Sequence, residues 1–239
     1  MSILGNILRD LTSVIFPNRC IVCGETVDSS VHGICLSCRL SIPTTGFCYR
    51  HQNPIREHFE GLFPVDECSS FFIFKADDSW QRMIHNFKYH DKWGYALTMG
   101  RWFGAELRAS GHYNDIDLVI PIPLHWRKSL KRGYNQSTYI AEGIAREIGA
   151  KLDSSTVRRT KNNPSQTRQH VKDRWSNVDD IFTVRDATKL ENKHILLVDD
   201  VLTTGATISS CARAILNATP TCRVSIVTLA VAGELAKRL

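Results

Sequence analysis

Residues 195–207 read ILLVDDVLTTGAT, and this run limits the architecture more than any other part of the chain. An apolar stretch bounded by turn residues is a buried strand, and here it ends in two adjacent acids. A Thr/Gly turn follows, and then a segment with helical apolar spacing from about Ala206 to Leu216. The strand therefore passes almost directly into a helix. The same alternation runs through the preceding and following residues. Ser70 to Lys75 reads as a strand, and Asp77, Asp78 and Ser79 offer N-caps for a helix reaching about Tyr89. A second helix spans roughly Gly94 to Ala109, where Gly100 and Gly104 on the apolar face imply close packing. Asp117 to Pro123 is a buried strand that stops at prolines, followed by a helix from about Gln136 to Gly149. Ser155 to Arg159 and Arg223 to Ala232 read as further strands. Such alternation implies a doubly wound, mostly parallel α/β sheet. Ligands in these sheets bind beyond the carboxyl ends of the strands.

Asp199 and Asp200 stand at one such end. Two carboxylates are acceptors suited to the cis-diol of a ribose. Thr203, Thr204, Gly205, Ala206 and Thr207 come immediately before a helix, where backbone N–H groups and the helix dipole favour an anion. The segment reads as a ribose 5-phosphate site, with the diol on the acids and the phosphate on the loop. The plainer alternative is a capped turn, but two acids ending a buried strand need more explanation than a cap supplies.

The net charge is +6, and the excess is local. From His125 to Trp175 there are 12 Lys and Arg against 4 Asp and Glu, so the rest of the chain is slightly acidic. A basic middle segment suits a polyanion such as a pyrophosphate or a nucleic acid, although a solvated basic face has the same composition. The longest uncharged stretch, Val201 to Ala212, is 12 residues, whereas a spanning helix needs roughly 20 apolar ones. No stable membrane insertion is expected. Ile3, Leu4, Ile7, Leu8, Leu11, Val14 and Ile15 form one face of an amphipathic helix, and Asn6, Arg9 and Asp10 break any secretory apolar region. A cytoplasmic setting with reduced cysteines follows.

Six of the eight cysteines precede residue 69. Cys20 and Cys23 form one CxxC, and Cys35 and Cys38 form another. Each such turn aims two thiolates at one point, so the pair predicts a closed tetrahedral zinc site of structural role. A redox dithiol expects a single CxxC, and an iron–sulfur cluster is the other competing use. Cys48, His51, His58 and Cys68 have residue types for a second site, but chance occurrence is the favoured explanation, since a closed site needs four well-placed ligands. Cys211 and Cys222 read as buried core thiols. A small N-terminal helix and zinc-ribbon domain over residues 1–68, with an α/β domain over 69–239, is the expected division.

The run ILLVDDVLTTGAT resembles the phosphoribosyl pyrophosphate (PRPP) signature of type I phosphoribosyltransferases. That resemblance implies Asp199 and Asp200 at the ribose hydroxyls and Thr203 to Thr207 at the 5-phosphate. Pro121 to Arg132 is similar in position to the family's pyrophosphate loop, and Thr160 to Val178 to its flexible lid. The whole chain resembles the ComF competence family, also described as amidophosphoribosyltransferase-like. Four features match in order: the paired CxxC motifs, IHNFKYHDKWGYA at Ile84, PIPLHWRKSLKRGYNQS at Pro121 and the PRPP signature. Many relatives carry a further CxxC, where this chain has Cys48 followed by His51.

The resemblance implies PRPP as a magnesium complex, with Arg127 and Lys128 stabilising the departing pyrophosphate. Arg159 and Lys161 are secondary candidates, and Gln166 and Arg168 are placed to close over the substrate. Phosphoribosyltransferases for oxopurines carry Asp where Thr203 stands, which argues against a 6-oxopurine acceptor. His85 and Lys88 are candidates for an acceptor-binding hood. Three functions fit these residues: a phosphoribosyltransferase with an unnamed acceptor, a non-catalytic PRPP sensor, and a single-stranded-DNA-binding protein. By family analogy each would serve DNA uptake and its machinery. The DNA-binding reading expects steep salt dependence and stacking on Trp126 and Tyr134.

Overall fold

The computed structural model describes residues 19–27, 33–75, 78–86, 93–125, 130, 133–160 and 181–237. The N-terminal amphipathic segment, Arg127, Lys128, and the lid candidate beyond Thr160 lie outside the described residues.

In chain order, the cysteine-rich part carries two short helices, α1 (Leu36–Leu40) and α2 (Pro54–Phe59). Then come β1 (Cys68–Ile73), α3 (Ser79–Asn86), α4 (Trp93–Ser110), β2 (Leu118–Pro121) and α5 (Gln136–Ile148). The strands β3 (Lys151–Leu152), β4 (Val157–Arg159) and β5 (Phe182–Val184) are short. The chain continues through β6 (His194–Leu202), α6 (Ala206–Ala218), β7 (Arg223–Val231) and α7 (Gly233–Lys237). Five strands form one sheet in the order β1-β7-β6-β2-β3, and every pairing is parallel. The strand expected at Ser155–Arg159 is real, but it pairs with β5 as a separate antiparallel ribbon. The sheet position beside β2 goes to Lys151 and Leu152 instead.

The sheet is covered on both faces, which is why β6 and β7 are apolar at successive positions. Side chains alternate between two cores. Val119, Leu196 and Val198 pack with Met99, Phe103, Ile140 and Ile144 of α4 and α5. Leu118, Ile120, Ile195 and Leu197 pack with Ile208, Cys211 and Ile215 of α6, and with Ile55 and Phe59 of α2. Close approach of α4 and α5 depends on glycine. A Cβ on Gly100 would lie 2.3 Å from the Ile140 carbonyl oxygen, and one on Gly143 2.5 Å from that of Leu97.

The connections from β2 and β6 diverge. From β2 the chain moves outward to β3, and from β6 it moves the opposite way to β7. The carboxyl ends of β2 and β6 therefore bound the crevice where sheets of this kind bind ligands. Pro121 pairs opposite Val198, and β2 stops there because Pro121 and Pro123 have no N–H to give. Asp199 to Leu202 project beyond it, paired only with β7.

Candidate functional site

Asp199 and Asp200 are half-buried and line a cleft of about 880 Å³ at this crevice, together with Ser137, Arg159, Thr203 and Thr207. Their carboxylates are held by local bonds. Asp199 Oδ1 accepts from Ser137 Oγ at 3.0 Å and from the Asp200 N–H at 2.9 Å. Asp200 Oδ1 accepts from the Val201 N–H at 2.8 Å. Ser137 is placed by Asn135, the N-cap of α5. The Asn135 amide donates to the Ile122 carbonyl at 3.0 Å while its Oδ1 accepts from the Ser137 N–H. An Asn directly before a helical run is a legible cap signal, but its link to the acids is visible only in three dimensions.

The sequence ranked Arg159 second among the candidate pyrophosphate cations, yet of those four it is the one within the described residues, and it lines the cleft. Burial lowers the pKa of its guanidinium, and the nearby charge of Asp199 acts in the opposite direction. His85 also lines the cleft, on a wall with Lys75, Gln81 and Ile84. Lys88, Lys161, Gln166 and Arg168 lie outside the described residues, as does Trp126. Tyr134 is buried, with its ring edge-on to Tyr139.

Thr203 and Thr204 are exposed, and Gly205 caps α6 with φ +70° and ψ −2°. That left-handed backbone favours glycine. The loop Thr204-Gly205-Ala206 joins the two lining threonines at the start of α6. Its outer side meets α2, which the sequence did not associate with it. His58 Nε2 lies 3.2 Å from the Thr204 carbonyl oxygen.

The four cysteines Cys20, Cys23, Cys35 and Cys38 converge, with all sulfurs within 4.8 Å of one another. Cys23 Sγ and Cys35 Sγ are 3.7 Å apart. Zn–S bonds of about 2.3 Å in a tetrahedron put sulfurs about 3.8 Å apart, so the spacing fits zinc. Gly24, at φ +81°, closes the first turn by donating its N–H to the Cys20 carbonyl at 2.8 Å. Cys20 Sγ accepts from the Cys35 N–H at 3.3 Å, and Cys35 Sγ from that of Cys38 at 3.4 Å. Burial works against ionising Cys20, but N–H donors from Cys23, Cys35 and Val22 outweigh it and bring its thiol down to about 7. Burial raises the Cys38 thiol, and the sulfurs crowded around it raise it further.

The second set of candidate ligands does not assemble. Among the described residues, no other group of three His, Cys, Asp or Glu side chains converges. His51 bonds to Glu67 at 2.5 Å, and His58 faces the Thr204 loop. Cys48 and Cys68 are buried; burial pushes the Cys48 thiol up to about 12 and also raises that of Cys68. Cys211 and Cys222 are core thiols, as their apolar context implied.

Residues 135–238 match the model of the phosphoribosyl transferase domain. Over 215 residues the chain is 23% identical to competence protein F of Haemophilus influenzae, covering 83% of this chain and 90% of that protein. It is 25% identical over 223 residues to DNA utilization protein YhgH of Salmonella typhimurium, covering 84% and 91%. The domain match opens on Asn135, the cap of α5, and takes in both acids, the Thr/Gly loop and β7. A solved hypoxanthine phosphoribosyltransferase of Staphylococcus aureus is similar at a TM-score of 0.38 and 17% identity, over 57% of this chain and 62% of that one. Among the described residues, no helix is long and apolar enough to cross a membrane.

Proposed function

We propose that this protein binds PRPP in the cleft between the carboxyl ends of β2 and β6 and transfers its phosphoribosyl group to an acceptor, releasing pyrophosphate. The observation that carries the reading is the joint placement of the overhanging pair Asp199 and Asp200 and the loop at the N-terminus of α6. The carboxylates accept from the ribose hydroxyls, and the N–H and hydroxyl groups of Thr203 to Thr207 hold the 5-phosphate. As the bond from C1 of the ribose to pyrophosphate breaks, cations stabilise the growing charge on the leaving group. Arg127 and Lys128 take that role by their sequence position, and Arg159 supports it from the cleft wall. Magnesium would offset the charge of the pyrophosphate, and Asp199 and Asp200 are oxygen ligands of the kind that it takes. Zinc on Cys20, Cys23, Cys35 and Cys38 would be structural, since four sulfurs leave no open position.

The names of the relatives, competence protein F and DNA utilization protein, support a role in the uptake or use of DNA. The basic stretch from His125 to Trp175 has the charge to hold a single strand. We place the protein in the cytoplasm, and assign residues 1–68 to the zinc-ribbon unit and 69–239 to the phosphoribosyltransferase unit. The test is calorimetric titration with PRPP and magnesium. Asp200→Ala removes a charge-assisted acceptor worth about 1.5–3 kcal/mol, so affinity should fall roughly ten- to hundredfold. Wild type that neither binds nor melts higher with PRPP would end the reading. Pyrophosphate release in an acceptor screen would separate turnover from sensing.

A further inference from the structure

Helix α2 belongs to the cysteine-rich part of the chain, yet it ends against the loop that leads into α6. It is held firmly at its start. Asn53, buried at its N-cap, accepts from the N–H groups of Ile55 and Arg56 at 3.0 and 3.1 Å. The amide of the same residue donates to the carbonyls of Arg50 and Cys68 at 2.8 and 2.9 Å. Phe59 is fully buried at the other end, with its ring edge-on to that of His58. The imidazole is thus delivered to the loop by an anchored element. Its Nε2 is 3.2 Å from the Thr204 carbonyl oxygen, which can only accept, so Nε2 carries the proton.

We propose that His58 is a positioning residue of the phosphate loop, setting which way the Thr204–Gly205 peptide faces. In a trans peptide the carbonyl and the following N–H point in opposite directions. Holding the Thr204 carbonyl on His58 turns the Gly205 N–H away from α2, a helix that lines no part of the cleft. Gly205 has a left-handed backbone, at φ +70° and ψ −2°. Rotating the Thr204–Gly205 peptide by half a turn would bring Gly205 to a negative φ, which glycine adopts as readily. The rotated loop would offer an anion a carbonyl in place of a donor. The glycine that permits the loop also leaves it two states, and the His58 bond selects one.

This inference rests on reading Thr203 to Thr207 as the phosphate loop. The experiment is titration of wild type, His58→Ala, His58→Gln and His58→Asn with ribose 5-phosphate and with PRPP and magnesium. Loss of the single hydrogen bond in His58→Ala should weaken both ligands by roughly three- to tenfold. The side-chain amide of His58→Gln can reach the same carbonyl and should restore affinity, whereas the shorter His58→Asn should not. Ligand-free melting and zinc content of His58→Gln provide the folding control. Binding by His58→Ala equal to wild type, or failure of His58→Gln to differ from His58→Ala, would overturn the positioning role. Wild type that binds neither ligand would instead remove the phosphate-loop reading itself, and this inference with it.

Discussion

Gly205 has three separate reasons to be glycine, one of them the left-handed backbone, and only one was legible in the sequence. The run TTGAT before a helix marked a close backbone approach to an anion. The structure adds that the missing side chain faces protein: a Cβ there would lie 2.9 Å from both His58 Nε2 and Phe59 Cε1. No local pattern could reveal this, because Gly205 and the residues it meets, His58 and Phe59, lie far apart in the chain. Gly205→Val should therefore do more than weaken PRPP. The left-handed backbone alone costs an L-residue about 1–2 kcal/mol, and a β-branched side chain must also displace the end of α2. We expect a lower melting temperature in the absence of any ligand. A variant that melts like wild type and loses only PRPP affinity would show that the loop has room on its α2 side. The acids follow the same pattern. Their types and spacing identified Asp199 and Asp200, but the Asn135–Ser137 brace depends on β2, α5 and β6 meeting in space.

Elements with a full period were readable, and short ones were not. Helices α4, α5 and α6 and strands β6 and β7 fall close to where apolar spacing put them. Strands of two or three residues, such as β3, β4 and β5, carry too few side chains to display alternation. The sequence accordingly found β4 but not its antiparallel partner, and it missed the two-residue strand that occupies the sheet. Helices α1, α2 and α7 span under two turns and leave no amphipathic signature. The paired helices α4 and α5 were legible even in their manner of packing, since the small residues on α4 implied close approach. Gly143→Ala tests that crossing. Alanine is the better helix former by about 1 kcal/mol. Against this, its Cβ would lie 2.5 Å from the Leu97 carbonyl oxygen and 2.6 Å from the Arg101 nitrogen. Overpacking a tight contact costs about 1–3 kcal/mol, so the net change should be destabilising. A lower denaturation midpoint with an unchanged slope is the expected result, and a higher midpoint would mean that the helices can separate without loss.

Across the whole molecule, the cysteine cluster was legible from spacing alone, but its attachment to the α/β core was not. Ile21, Val22 and Ile34, which lie next to the clustered cysteines, share one apolar cluster with Trp80, Met83, Met99 and Phe103. Gly33 lies so close to Tyr95 of α4 that a Cβ there would overlap its ring. The Arg39 guanidinium rests 4.6 Å over the ring of Trp102, on the same helix. The metal would thus hold together a surface that also covers α4. Apparent binding energies of structural zinc in finger peptides are about 10–16 kcal/mol, as large as the whole stability of an ordinary domain. Removing zinc should therefore be felt beyond the cysteine turns. We expect metal analysis to give close to one zinc per chain, and a strong chelator to lower the main melting transition of the whole protein. The Cys20→Ser/Cys38→Ser double variant should contain no zinc and melt like the chelated protein. Cys48→Ser should keep its zinc, because the second candidate ligand set does not converge. If chelation melted a small separate transition and left the main one unchanged, the cysteine unit would be an independent appendage, and its shared apolar cluster would contribute little to holding α4 in place.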